Sequence, residues 1–140
     1  ALAAAERALV ARGYAVRRLP GRLAGDAETA AARYAHELAF TVEDVLVAGG
    51  ETTVRLPPEP GRGGRNQHFA LAVARQLADH ADLVVLAAGT DGIDGGTPDA
   101  GAIVDGGTRA RGLAEGLQID AALAAADSGR FLEATGDLLN

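Results

Sequence analysis

The 140-residue chain contains no cysteine and no lysine, and only 4% of its residues are aromatic. Without cysteine there are no disulfides and no thiolate metal sites, which fits a reducing compartment. All thirteen basic residues are arginine, so any chemistry that needs a lysine amine has to come from elsewhere. The scarcity of aromatics, against 48% hydrophobic residues rich in alanine, predicts a core of Ala, Val and Leu with closely approaching helices. No apolar run approaches the roughly 20 residues of a membrane span, and no basic, apolar, small-residue signal pattern opens the chain. A net charge of −6 argues against a nucleic-acid footprint. The chain begins with Ala1, inside a helical pattern, which reads as a piece of a longer polypeptide.

What is present alternates strand and helix patterns. Helix formers fill ALAAAERALVARG up to Gly13, and YAVRRL reads as a short strand ended by Pro20-Gly21. Asp26 is placed to cap a helix over residues 27–42. Val45–Ala48 forms an apolar strand of the kind covered on both faces. ETTVRL follows after only Gly49-Gly50, so these two runs are an antiparallel hairpin or one strand kinked at the glycines. A helix is expected from Arg65 or Asn66 to about Asp79, and the clearest strand is LVVLAAG at residues 83–89. AGAIVDGG is ambiguous; TRARGLAEG reads as a helix with Thr108 as its cap, and DAALAAAD as one capped by Asp120. SGRFLEATGDLLN reads as a half-turn followed by an apolar run. The fold class is α/β, with a mixed sheet flanked by helices.

Three glycine-rich corners stand beside strand ends or helix starts: GGETT at residues 49–53, GRGGRNQ at 61–67 and GTDGIDG at 89–95. Open α/β sheets bind ligands at such places. Arg62 and Arg65 put forked guanidinium groups beside a helix N-terminus, an arrangement suited to carboxylate or phosphate, and Asn66 can both donate and accept. The spacing fits neither a Walker A loop nor a dinucleotide fingerprint. Asp91, Asp94 and Asp99 could reach a hard cation such as Mg2+; for Asp94 and Asp99 the favoured reading is turn and cap chemistry. Glu51 is equally a ligand contact or a satisfied structural carboxylate. A further alternative is a structural ion pair of Arg62 or Arg65 with Glu51 or Asp91. His36, His68 and His80 have no ligand spacing, and Ser128 has no nucleophile-elbow context.

In this order GGETTV, GRGGRNQ, AAGTDGIDG and DAGAIVDG, spanning residues 48–139, resemble the C-terminal MOFRL domain of class II glycerate kinases, some relatives of which are labelled hydroxypyruvate reductase. The resemblance divides the chain into a lead-in over residues 1–42, which could belong to the same domain, and a MOFRL-like domain over 43–140 whose C-terminal end is cut short. It implies a partial chain of a two-domain cytoplasmic enzyme, completed by an N-terminal Rossmann-like domain. The implied activity is ATP- and Mg2+-dependent phosphorylation of D-glycerate to 2-phosphoglycerate in the interdomain cleft, with the 140 residues alone inactive. It implies Arg65 and Asp91 as catalytic residues. Glu51, Asn66, Thr90 and Arg62 become substrate contacts, and Asp91 with Asp94 the metal-holding carboxylates. A small-molecule partner is expected and nucleic acid and membrane are not; a homodimer is one arrangement allowed. The alternatives are a non-catalytic anion-binding or interaction module, or a hydroxypyruvate reductase. The segment GGTPDAGA departs from the family's usual GPTDAAGA, which leaves the role of Asp99 open.

Overall fold

In a computed structural model of the chain, every residue except Asp79 is described. The helix-forming N-terminal segment makes α1 (Leu2–Val10), and Gly13 at φ +90° turns the chain into β1 (Val16–Arg18). Pro20-Gly21 interrupts the extended path, which resumes as β2 (Leu23–Asp26). β3 (Val45–Val47) and β4 (Gly50–Thr53) follow the same course beside them. β1 pairs with β3 and β2 with β4, both parallel, so two broken strands run side by side through their respective breaks. Leu19 N–H donates to the Val47 carbonyl and Leu23 N–H to the Gly49 carbonyl, stitching the breaks together. The kinked-strand reading of the Gly49-Gly50 corner therefore holds and the hairpin does not. A side chain at Gly50 would overlap the Leu23 backbone, which is why this crossing needs glycine.

Asp26 ends β2 and caps α2 (Ala27–Ala39), its carboxylate accepting from Thr29 N–H at 3.0 Å. Alanines at 27, 30, 31 and 35 form the buried side of α2. This small-residue face lets α2 lie close against α3 (Arg65–Gln76), with Tyr34 set edge-on to Phe69 at a centroid separation of 5.8 Å. Tyr34 is buried, and its hydroxyl donates to the Leu46 carbonyl at 3.0 Å, tying the helix to β3. The expected end of α3 at Asp79 lies outside the described residues.

α3 is the centre of the molecule: every residue from Gln67 to Ala74 is buried. Its second side packs on an antiparallel sheet of β5 (Val84–Ala88), β6 (Gly101–Asp105) and β7 (Leu138–Leu139). Val85, Ala102 and Val104 point into the core, while Val84, Leu86 and Ile103 are exposed. The ambiguous segment after Asp99 is thus a strand, and the α/β class is met by three small sheets rather than one continuous mixed sheet.

Three short helices complete the chain: α4 (Thr108–Ala114), α5 (Ile119–Ala124) and α6 (Ser128–Thr135). The N-caps of α4 and α5 are Gly107 and Gln118, one and two residues before the expected Thr108 and Asp120. Thr108 instead accepts from Asp105 N–H, and Asp120 lies on the first turn of α5 facing Arg75. The segment read as a half-turn is α6, closed by Gly136 in the left-handed region and anchored by Phe131 and Leu132 in the core.

Candidate functional site

Three glycine-bearing segments converge where α3 and α6 begin. Gly63 and Gly64 precede α3, Gly95 and Gly96 follow Asp94, and Ser128 and Gly129 open α6. A Cβ at Gly95 would stand 3.0 Å from Gly64 Cα, and one at Gly63 would overlap Ser128 Oγ. Gly63 also sits at φ +154°, a conformation that side chains resist. Backbone therefore packs on backbone, leaving an open concavity of about 420 Å³. Val54, Leu56 and Ala126 supply apolar wall, Arg65 and His68 stand in its lining, and Ser128 is part of its floor.

Asp94 is the keystone beneath these segments. It is 2% exposed, and its carboxylate accepts from Asn66 N–H at 3.1 Å, Asn66 Nδ2 at 2.9 Å and Gln67 N–H at 2.8 Å. A carboxylate from a distant loop thus caps the first turn of α3, where free N–H groups and the helix dipole favour negative charge. Thr97 locks the loop, donating to the Asp94 carbonyl and accepting from Gln67 Nε2, both at 2.8 Å. The favoured turn-and-cap reading describes what Asp94 does here, and both its oxygens are engaged.

Arg65 and Glu51 meet at 2.6 Å at the edge of the concavity, joining the start of α3 to β4. Both are largely exposed, at 51% and 67% of their side-chain area. Such a pair is held by less than about 1 kcal/mol and exchanges readily for another anion. Arg62 is tied more firmly: its guanidinium spans Asp99 at 3.0 Å and Glu133 at 2.7 Å, and its N–H donates to Asp127. Asp99 is 4% exposed, so its role is to hold Arg62 and thereby the loop before α3 to α6. The Asp99 hydrogen bond, ahead of the opposing effect of burial, raises the Arg62 pKa above its ordinary value.

Asp91 and Thr90 lie exposed just beyond β5, outside the lining of the concavity. The structure brings Arg65, Glu51 and Asn66 to one corner and leaves Asp91 and Thr90 on the neighbouring loop. Among the described residues, no three His, Asp or Glu side chains gather as a metal-ligand set. The Asp91 carboxylate has no ion-pair or hydrogen-bond partner among the described residues.

His68 is buried at the side of the concavity, with Nε2 3.9 Å from Glu28 and no partner for Nδ1 among the described residues. Burial lowers its pKa, against the opposing pull of Glu28 and Asp26. Ser128, which lacks an elbow context in the sequence, is 1% exposed, with no partner for its hydroxyl among the described residues. Its signal was the Asp-Ser pair three residues ahead of Phe131-Leu132, the spacing of a helix start before its first apolar contact.

The α/β domain that carries this concavity has the fold of part of a solved glycerate kinase. The crystal structure of a glycerate kinase from Thermotoga maritima superposes with a TM-score of 0.87 at 34% identity, covering 96% of this chain and 34% of that one. The MOFRL family profile matches residues 44–140, and the chain belongs to the MOFRL family. A protein named glycerate 2-kinase from Pyrococcus horikoshii is 43% identical over 95 residues, 68% of this chain and 21% of that protein. The human protein named glycerate kinase is 47% identical over 90 residues, 61% of this chain and 17% of that one. A relative from Agrobacterium vitis, 40% identical over 96 residues, carries hydroxypyruvate reductase in its name. The chain spans about a fifth of the Pyrococcus horikoshii and human relatives and about a third of the solved glycerate kinase.

Proposed function

We propose that this chain is the substrate-side domain of an ATP-dependent glycerate 2-kinase, acting with an N-terminal Rossmann-like domain across an interdomain cleft. The observation that carries the reading is the Arg65–Glu51 pair at the edge of the glycine-walled concavity, in a chain matched by the MOFRL family. Arg65 is fixed at the first position of a long helix, so its guanidinium is presented without a loop's freedom. It exchanges Glu51 for the carboxylate of D-glycerate, or for the phosphoryl group in flight, as a forked donor matched to either. Glu51 then becomes available to a substrate hydroxyl, and Asn66 and Thr90 supply further polar contacts.

Asp91 is the residue of this chain that would hold a Mg2+ ion or take the proton; the metal would neutralise charge on the phosphoryl group that ATP supplies. As the 2-hydroxyl oxygen bonds to the γ-phosphorus and the bond to the ADP oxygen breaks, the hydroxyl proton passes to Asp91. Arg62 and Asp94 serve by position: one fastens the loop before α3 to α6, the other caps α3 so that Arg65 is held still. The test is to titrate the full-length parent with D-glycerate and ATP–Mg2+ while following ADP, and to identify the product by phosphorus NMR. NADH oxidation with hydroxypyruvate and no ADP release would assign the reductase activity instead.

A further inference from the structure

Ser128 is the first residue of α6, is 1% exposed, and lines the floor of the concavity. Its Oγ has no hydrogen-bond partner among the described residues. Leaving a buried hydroxyl unpaired costs roughly 1–3 kcal/mol, so such a group calls for a reason. No side chain separates it from Gly63, since a Cβ there would overlap the Oγ. The Gly63 and Gly64 N–H groups, directly before α3, have no acceptor among the described residues. Gly129 N–H is already given to the Arg62 carbonyl at 2.8 Å, which fixes the α6 start against this same loop. Asp94 satisfies Asn66 and Gln67 from behind and stops short of Gly63 and Gly64. Among the described residues these donors at two helix starts are unused, with Arg65 and His68 in the same lining and the unpartnered Gln67 Oε1 beside Gly129.

We infer that Ser128 Oγ and the Gly63 and Gly64 amides form an oxyanion-binding subsite, a cradle for the carboxylate or a phosphoryl oxygen of the ligand that Arg65 attracts. The inference rests on the kinase reading for the identity of the ligand, while the donor set itself is a feature of this chain. Ser128 donates its hydroxyl proton to the anion, which removes the unpaired group. The two glycines lend N–H groups at a distance that no side chain could match.

The experiment measures binding rather than turnover, in the full-length parent protein, by calorimetric titration with D-glycerate and, separately, with inorganic phosphate. Ser128→Ala is expected to weaken at least one of them roughly tenfold, the scale for one hydrogen bond to a charged group. Loss confined to D-glycerate assigns the subsite to the carboxylate; loss confined to phosphate assigns it to the phosphoryl group. Ser128→Cys puts a larger and far weaker donor at the same place and should show at least the same loss, while Ser128→Thr, which keeps the hydroxyl, should retain binding; the pair decides the matter if Ser128→Ala does not fold. Equal affinities for both probes in wild type and variant, or no binding of either probe by the wild type, overturn the inference. Absence of ADP production by a wild-type protein that binds D-glycerate would sink the kinase reading alone.

Discussion

The Arg65 guanidinium reaches across from the first turn of α3 to the Glu51 carboxylate on β4, 2.6 Å away, and the pair stands in solvent rather than in the core. The contact joins two of the three glycine corners. Its exposure makes it a weak, exchangeable contact, which is what the proposed role of Arg65 requires.

Arg65→Ala in the full-length enzyme should lower kcat/KM for D-glycerate by roughly a hundredfold or more, about 3 kcal/mol of transition-state stabilisation. Glu51→Gln frees Arg65 without removing it and should cost far less. Steady-state kinetics of the two variants check this; equal losses would make the pair structural.

Removing Asp94 should act on stability before chemistry. Asp94→Ala strips the acceptor from two backbone N–H groups and the Asn66 amide at the start of a buried helix. The expected cost is about 2–3 kcal/mol, above that of an ordinary cap because the bonds are charge-assisted and buried. Urea unfolding of the variant measures it, and a midpoint unchanged from wild type would refute the keystone role.

His68 sets a direction for pH. Its folded pKa lies below the ordinary value of 6.5, so as pH falls through 6.5 the unfolded chain takes up a proton that the folded one declines. Stability contributed by neutral His68 is therefore complete above pH 6.5 and is lost progressively below it. Of the groups that face it, Glu28 and Asp26 moderate the loss by favouring the protonated ring, while Arg75 on the other side adds to it. His68→Gln should flatten the stability profile between about pH 7.5 and 5.5, measured by denaturant midpoints. Asp26, whose pKa is lowered chiefly by the Thr29 N–H, adds a separate loss below its ordinary value of 3.8, which Asp26→Asn removes.

Two glycines should answer substitution oppositely. A Cβ at Gly112 on α4 would overlap the Phe131 ring, so Gly112→Ala should destabilise by about 1–3 kcal/mol. Gly96 lines the concavity, has no positive φ, and would leave an added Cβ with nothing within 4 Å. Gly96→Ala should therefore leave thermal unfolding unchanged.

The elements with strong local signals were readable from sequence: Asp26 as a cap, α3 from Arg65, and β5 from its valine-rich run. The pairing partners were not readable, because parallel neighbours such as Val16 and Val45 are brought together by packing across an intervening helix. α6 is hard to see in the sequence because Gly129 weakens its helix pattern and only tertiary burial of Phe131 and Leu132 secures it. At the site, residue types at the corners pointed to Arg65, Glu51 and Asn66. The turn-and-cap reading of Asp94 was legible too; what the sequence could not convey was that the helix it caps is the distant α3, that Asp99 takes up Arg62, or that Ser128 arrives from far along the chain.

The stacking of Gly63, Gly64 and Gly95 also limits how this protein can be re-engineered. A library randomised at those three positions would return mostly misfolded clones, since any added atom must push main chain aside. Altered ligand preference has to be sought at Val54 and Leu56, where side chains already bound the space and can be exchanged for larger or smaller ones, since Ala126 is buried at a left-handed φ of +51°.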